Sequence, residues 1–178
     1  MSSYAVFLRG VNVGGVTIKM ADLKEALKSR PFSGVKTLLA SGNVVLSSDL
    51  SPVGVKDQFE GCLREAFGYD AWVVVLGADR VGELVAACPY PADDTSTHTY
   101  LTLGSDAVVL AELYAAGSAL DGTELTRLGP EALAWLAPAG GTLDSPFSKL
   151  SSKPKYKAST TTRNLRTMVK VRDAAALL

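Results

Sequence analysis

Cysteine, histidine and long apolar runs are scarce in this chain of 178 residues, and each shortage removes a class of function. Cys62 and Cys88 are the only cysteines, so no disulfide framework substitutes for a core. With no signal-peptide pattern, two thiols point to a reducing, cytoplasmic setting. His98 is the sole histidine, and two cysteines 26 positions apart add no metal-ligand spacing, so neither a metal nor a cofactor is implied. A Ser-His-Asp or Cys-His system would have to run through His98, which reads most simply as a strand residue at a threonine-rich entrance; no catalytic residue is assigned. No apolar run approaches the roughly 20 residues that span a bilayer, so no membrane partner is expected.

Core-forming residues are plentiful: 47% of the chain is hydrophobic. A chain of this size buries roughly 70% of the surface its unfolded form exposes, which suits one compact domain or two small lobes.

Formal net charge is zero, yet the charges are unevenly placed. Residues 145 to 178 hold Lys149, Lys153, Lys155, Lys157, Arg163, Arg166, Lys170 and Arg172 against Asp173 alone, a balance of +7, leaving −7 on the other 144 residues. Such a segment either neutralises its own domain or forms an anion site, where clustered cations steer and hold phosphates.

Punctuation by Gly and Pro divides the chain. Tyr4 to Leu8 reads as a strand, a glycine loop follows, and Met20, Leu23, Ala26 and Leu27 recur at helical spacing until Pro31. Two apolar segments, Val35 to Leu39 and Asn43 to Leu46, join through Ala40-Ser41-Gly42 as a hairpin. From Pro52, the residues Val55, Phe59, Cys62, Leu63 and Ala66 form one helical stripe capped at Gly68, and Ala71 to Leu76 is a strand. The order β-α-β-β-α-β predicts a ferredoxin-like lobe over residues 1–77.

Residues 78–98 read as a connecting helix closed by Pro89 and Pro91, with a linker at Ala92 to Thr97. Residues 99–178 echo the first half. A strand spans Thr99 to Leu103, Ser105 caps a helix through Tyr114 with Gly117 beyond it, and two strands flank Gly129-Pro130. Gly141 to Thr160 is expected as a long loop and a helix is expected from Thr161, with Leu165, Met168, Val171 and Ala175 on its apolar side. The fold class is therefore α+β, two ferredoxin-like lobes with antiparallel sheets.

Three motifs carry candidate chemistry. Gly10, Asn12, Gly14 and Gly15 lie between a strand and a helix, where exposed amides can approach a phosphate; a tight turn with positive φ explains the same glycines. Arg9 and Lys19 flank that loop and keep an anion reading open. Ser41, Gly42 and Asn43 read as turn chemistry rather than a nucleophile site. Thr160-Thr161-Thr162-Arg163-Asn164, with Arg166 after it, supplies helix-capping hydroxyls or a phosphate cradle at a positive helix end. Lys149 to Lys157 add cations, interleaved only by the aromatics Phe147 and Tyr156.

Phe7 to Gly15, Lys19-Met20, Ser41-Gly42-Asn43-Val44-Val45 and Thr161-Thr162-Arg163-Asn164, in this order, resemble the bacterial domain-of-unknown-function family numbered 1697. The resemblance spans nearly the whole chain. It implies a cytosolic α+β protein of two ferredoxin-like lobes, and no established activity. Its motif positions fall on Arg9, Gly10, Asn12, Gly14, Gly15, Lys19, Ser41, Gly42, Asn43, Lys149, Thr162, Arg163 and Asn164. This chain departs from the family pattern where Leu165-Arg166 replaces Trp-Asn and where Ala40 replaces a glutamine.

The expected function is binding of a phosphate-bearing ligand, nucleic acid or a nucleotide, with the glycine loop and the Thr-Arg-Asn segment sharing one anion pocket. Two alternatives remain: an enzyme acting on a phosphorylated small molecule, and a structural protein that self-associates through its sheet edges.

Overall fold

The structure is a computed structural model that describes residues 1–10, 17–68, 70–92 and 94–178. The chain divides into two compact units, Met1–Gly82 with Lys170–Leu178, and Glu83–Val169.

The first unit follows the order predicted from its turns. Strand β1 (Ser2–Leu8) leads to helix α1 (Met20–Leu27), the hairpin β2 (Ser33–Leu38) and β3 (Asn43–Ser48), helix α2 (Pro52–Phe67) and β4 (Val73–Gly77). The sheet order is β2-β3-β1-β4, with β1 antiparallel to both neighbours. Period-2 alternation puts Tyr4, Val6 and Leu8 of β1 with Val44 and Leu46 of β3 on the face that packs against Leu23 and Leu27 of α1 and Val55, Phe59 and Leu63 of α2. Cys62 is 2% exposed in the same core, a packing thiol. Ala66, expected on the stripe, is exposed instead. Helix α2 begins where Ser51 Oγ accepts from Gly54 N at 3.2 Å and Pro52 occupies the first turn, and it ends at Gly68 with φ +60°.

Helix α3 (Ala78–Ala87) follows, and the second unit repeats the first sheet's wiring. Strand β5 (Thr97–Gly104), helix α4 (Ala107–Ser118), β6 (Leu125–Gly129), β7 (Ala132–Pro138) and β8 (Thr160–Asn164) form a sheet in the order β6-β7-β5-β8. The N-cap of α4 is Asp106, not Ser105: its carboxylate accepts from Val108 N at 2.9 Å and Val109 N at 3.2 Å. The helix runs past Tyr114, so Gly117 lies inside it, buried, rather than beyond its end.

Two expectations fail in the segment after β7. Gly141 to Thr160 is no loop: it holds a 3-10 turn (Thr142–Asp144) and two short helices, α5 (Pro146–Ser151) and α6 (Pro154–Lys157). Helices this short are marginal by themselves, and here tertiary packing holds them. Phe147 of α5 and Tyr156 of α6 join Leu110, Leu113, Leu133 and Trp135 in the core. Trp135 stacks on Tyr100 at 4.8 Å between ring centroids and meets Phe147 at 5.0 Å. The helix expected from Thr161 starts only at Leu165, as α7 (Leu165–Ala175), because Thr160–Asn164 is instead the edge strand β8, paired with β5 from Tyr100↔Asn164 to Gly104↔Thr160. Leu165, Met168, Val171 and Ala175 are buried, as their spacing predicts.

Candidate functional site

Strand pairing assembles one group of the predicted residues at an end of the first sheet. Leu8 N donates to Gly42 O at 2.9 Å, which sets the end of β1, and Arg9-Gly10 beyond it, beside the β2–β3 turn. That turn is held by Asn43, fully buried, whose Nδ2 donates to Leu38 O and to Ser41 Oγ, each at 2.9 Å. Gly42 at φ +82° and Leu39 at φ +60° close it. The Ser41 hydroxyl is thus engaged in turn geometry, in line with its sequence reading. Asn12, Gly14 and Gly15 fall outside the described residues. Lys19 is exposed at the N-cap of α1.

Two residues that motif reading missed complete this end. The register Leu8↔Val73 places Trp72 next to Arg9, whose guanidinium lies 5.3 Å from the indole centroid. Lys56 Nζ lies 5.8 Å from the same ring and donates to Val73 O at 2.7 Å. It also pairs with Glu60, whose Oε1 accepts from Val73 N at 2.9 Å. The charge of Lys56 is matched inside the protein, and the network fixes the entry to β4. The signal for Trp72 lay in strand register, which spacing between motifs does not carry.

The second group lies in the second unit. Thr162 Oγ1 is 2.9 Å from Thr102 Oγ1, which accepts from Trp135 Nε1 at 3.0 Å, so this hydroxyl ties β8 to the sheet. Arg163 is 6% exposed; its Nη1 donates to Thr161 Oγ1 at 2.7 Å and to Thr162 O at 2.9 Å. Burial lowers its pKa to about 10, which leaves it protonated at neutral pH. Asn164 Oδ1 accepts from Arg166 N at 2.8 Å, a cap for the start of α7, and Arg166 Nε donates to Ala92 O at 3.2 Å.

Lysines define the outer surface of the segment before β8. Lys149, Lys153, Lys155 and Lys157 are all exposed on or beside α5 and α6. Lys155 pairs with Glu112 at 2.7 Å, which raises its pKa. Lys149, Lys153 and Lys157 form no ion pair among the described residues. From residue 145 to 169 there are six cations and no carboxylate, whereas residues 83 to 144 hold nine carboxylates and Arg127 as their only Lys or Arg.

The remaining reactive groups are engaged or shielded. His98 Nδ1 lies 3.5 Å from Tyr100 Oη, itself 3.1 Å from Thr142 Oγ1. Burial pushes the Cys88 thiol up, which disfavours the thiolate. No cluster of three metal-ligating side chains occurs among the described residues, and no described helix is long and apolar enough to cross a membrane. One cavity of about 320 Å³ in the second unit is lined by Thr123, Leu136, Asp144 and Phe147 among others, with no Lys or Arg. Another, about 600 Å³ in the first unit, likewise has no Lys or Arg in its wall.

The chain belongs to the family of proteins of unknown function DUF1697, whose model matches residues 1–133. Lys149 and Thr162–Asn164 lie beyond that match. Among solved structures, the conserved bacterial protein SP0830 from Streptococcus pneumoniae is similar over 98% of both chains, with TM-score 0.81 and 20% identity. That likeness is one of fold. No curated protein matches the chain.

Proposed function

We propose that the protein binds a phosphate-bearing ligand, and that this ligand is nucleic acid held on the α5–α6 surface. The observation that carries the reading is the segregation of charge within the second unit: an acid-free stretch from residue 145 to 169 exposes Lys149, Lys153 and Lys157 without ion-pair partners among the described residues. Ammonium groups in this state are free to neutralise the phosphates of a polyanion, and release of the cations condensed on that polyanion drives association. A polymer fits better than a small phosphorylated metabolite. The two cavities above carry no Lys or Arg to hold a buried phosphate, and a third, about 350 Å³ in the first unit, has only Arg30, already paired with Glu65, whereas the lysines stand on an open surface. Fluorescence anisotropy with labelled DNA and RNA tests the reading. Log affinity is expected to fall linearly with log salt, by about 0.9 per phosphate neutralised on a duplex. The triple variant Lys149→Ala, Lys153→Ala, Lys157→Ala should lower that slope by about three. Absence of binding at low salt, or an unchanged slope in the variant, overturns the proposal.

A further inference from the structure

We infer that the lysine surface of α5 and α6 contacts the phosphate backbone alone and so takes duplex nucleic acid in preference to single strands, whatever the base sequence; this rests on the phosphate-binding reading above. Sequence-tolerant capture of single strands relies on open aromatic faces on which unpaired bases stack. The two rings that interleave these lysines are turned inward. Phe147 is 1% exposed against Trp135, and Tyr156 is 7% exposed in the same core. The shortage extends beyond this segment, since no aromatic side chain among the described residues is exposed, and half-buried Trp72 already lies under Arg9 and Lys56.

Base-edge readout is equally unsupported by the groups present. It uses side chains such as Arg, Asn, Gln and, to guanine, Lys, carried on an element that enters a groove. The exposed cations of α5 and α6 are ammonium ions, which act as point charges without a fixed donor pattern, and the exposed guanidinium of Arg166, beyond β8, spends its Nε on Ala92 O. Arg163 is buried, and Asn164 directs its carbonyl oxygen to Arg166 N. Helices α5 and α6, at six and four residues, are too short to lie along a major groove as a reading helix. What remains is charge neutralisation, which grows with phosphate density. A duplex carries one charge per about 1.7 Å of axis, roughly twice the density of one strand.

Anisotropy competition on the full chain tests this with a labelled duplex, each of its separated strands, a duplex of shuffled sequence, and inorganic polyphosphate as an unlabelled competitor. Three phosphate contacts predict about a fourfold preference for duplex over either strand at ~0.1 M salt, from the difference between the duplex and single-strand slopes. The shuffled duplex should bind equally, and polyphosphate should displace both. A single strand that binds as tightly as the duplex, a dependence on sequence, or resistance to polyphosphate overturns the backbone-only inference and leaves phosphate binding standing. Failure of every probe to bind overturns the proposed function and this inference with it.

Discussion

The two units share one wiring diagram and differ most at the connection between their third and fourth strands. In the first unit that connection is the 16-residue helix α2, whose charges mix Lys56, Asp57, Glu60, Arg64 and Glu65. In the second it is a 3-10 turn that carries Asp144, followed by α5 and α6, which carry Lys149, Lys155 and Lys157 with Lys153 between them and no carboxylate of their own. Both connections deliver aromatic or aliphatic side chains to the sheet: Phe59 and Leu63 in one, Phe147 and Tyr156 in the other. The buried face is set by the need to cover the sheet. The outer face is under no such demand, and of its four lysines only Lys155 meets a carboxylate, Glu112, among the described residues.

The strongest way to break the comparison is to remove an anchor from each connection. Phe147→Ala and Phe59→Ala should each cost about 3–5 kcal/mol of unfolding free energy in urea titrations, because both rings are fully buried. A loss below about 1 kcal/mol for Phe147→Ala would show that α5 is not anchored by its ring.

A smaller effect with opposite signs comes from two helical glycines. A Cβ at Gly117 in α4 would sit 2.7 Å from Phe147 Cε2, so Gly117→Ala should cost about 1–3 kcal/mol. Gly61 in α2 has nothing within 4 Å of that position, and Gly61→Ala should raise stability by about 0.5–1 kcal/mol. Thermal melts of both variants would show the opposed shifts; equal signs would contradict the packing described.

The mildest test compares the caps. Ser51→Ala in the first unit and Asp106→Ala in the second should each cost about 1 kcal/mol, read as a lower urea midpoint at an unchanged slope. An unaffected Asp106→Ala would mean that α4 draws its start from packing alone.

Reading the sequence succeeded where a residue type has one local role. Gly68, Pro52 and the Ala40-Ser41-Gly42 turn delimit elements through their own backbone limits, and the first β-α-β-β-α-β order follows from them. It failed at Thr160–Asn164, where three threonines before an apolar helical stripe resemble a cap. These residues are a strand because β5 lies alongside and Thr102 meets Thr162, a partner 60 positions away. Around Pro146 and Pro154 the composition matches a loop; Ser145 caps α5 and a proline opens each helix, but it is the burial of Phe147 and Tyr156 that holds such short helices in place. Within the candidate site, the excess of lysine was countable. The inward turn of the two interleaved rings, and the company of Trp72 with Arg9, were not.

By itself the amino-acid order determined the apolar periodicities, the turn positions and the separation of positive from negative charge, since each depends on neighbours a few residues away. The tertiary structure decided that 160–164 is a strand, that 141–157 folds into short helices, and which cations face water. Those outcomes depend on contacts between distant segments, whose burial and hydrogen bonding outweigh local preference.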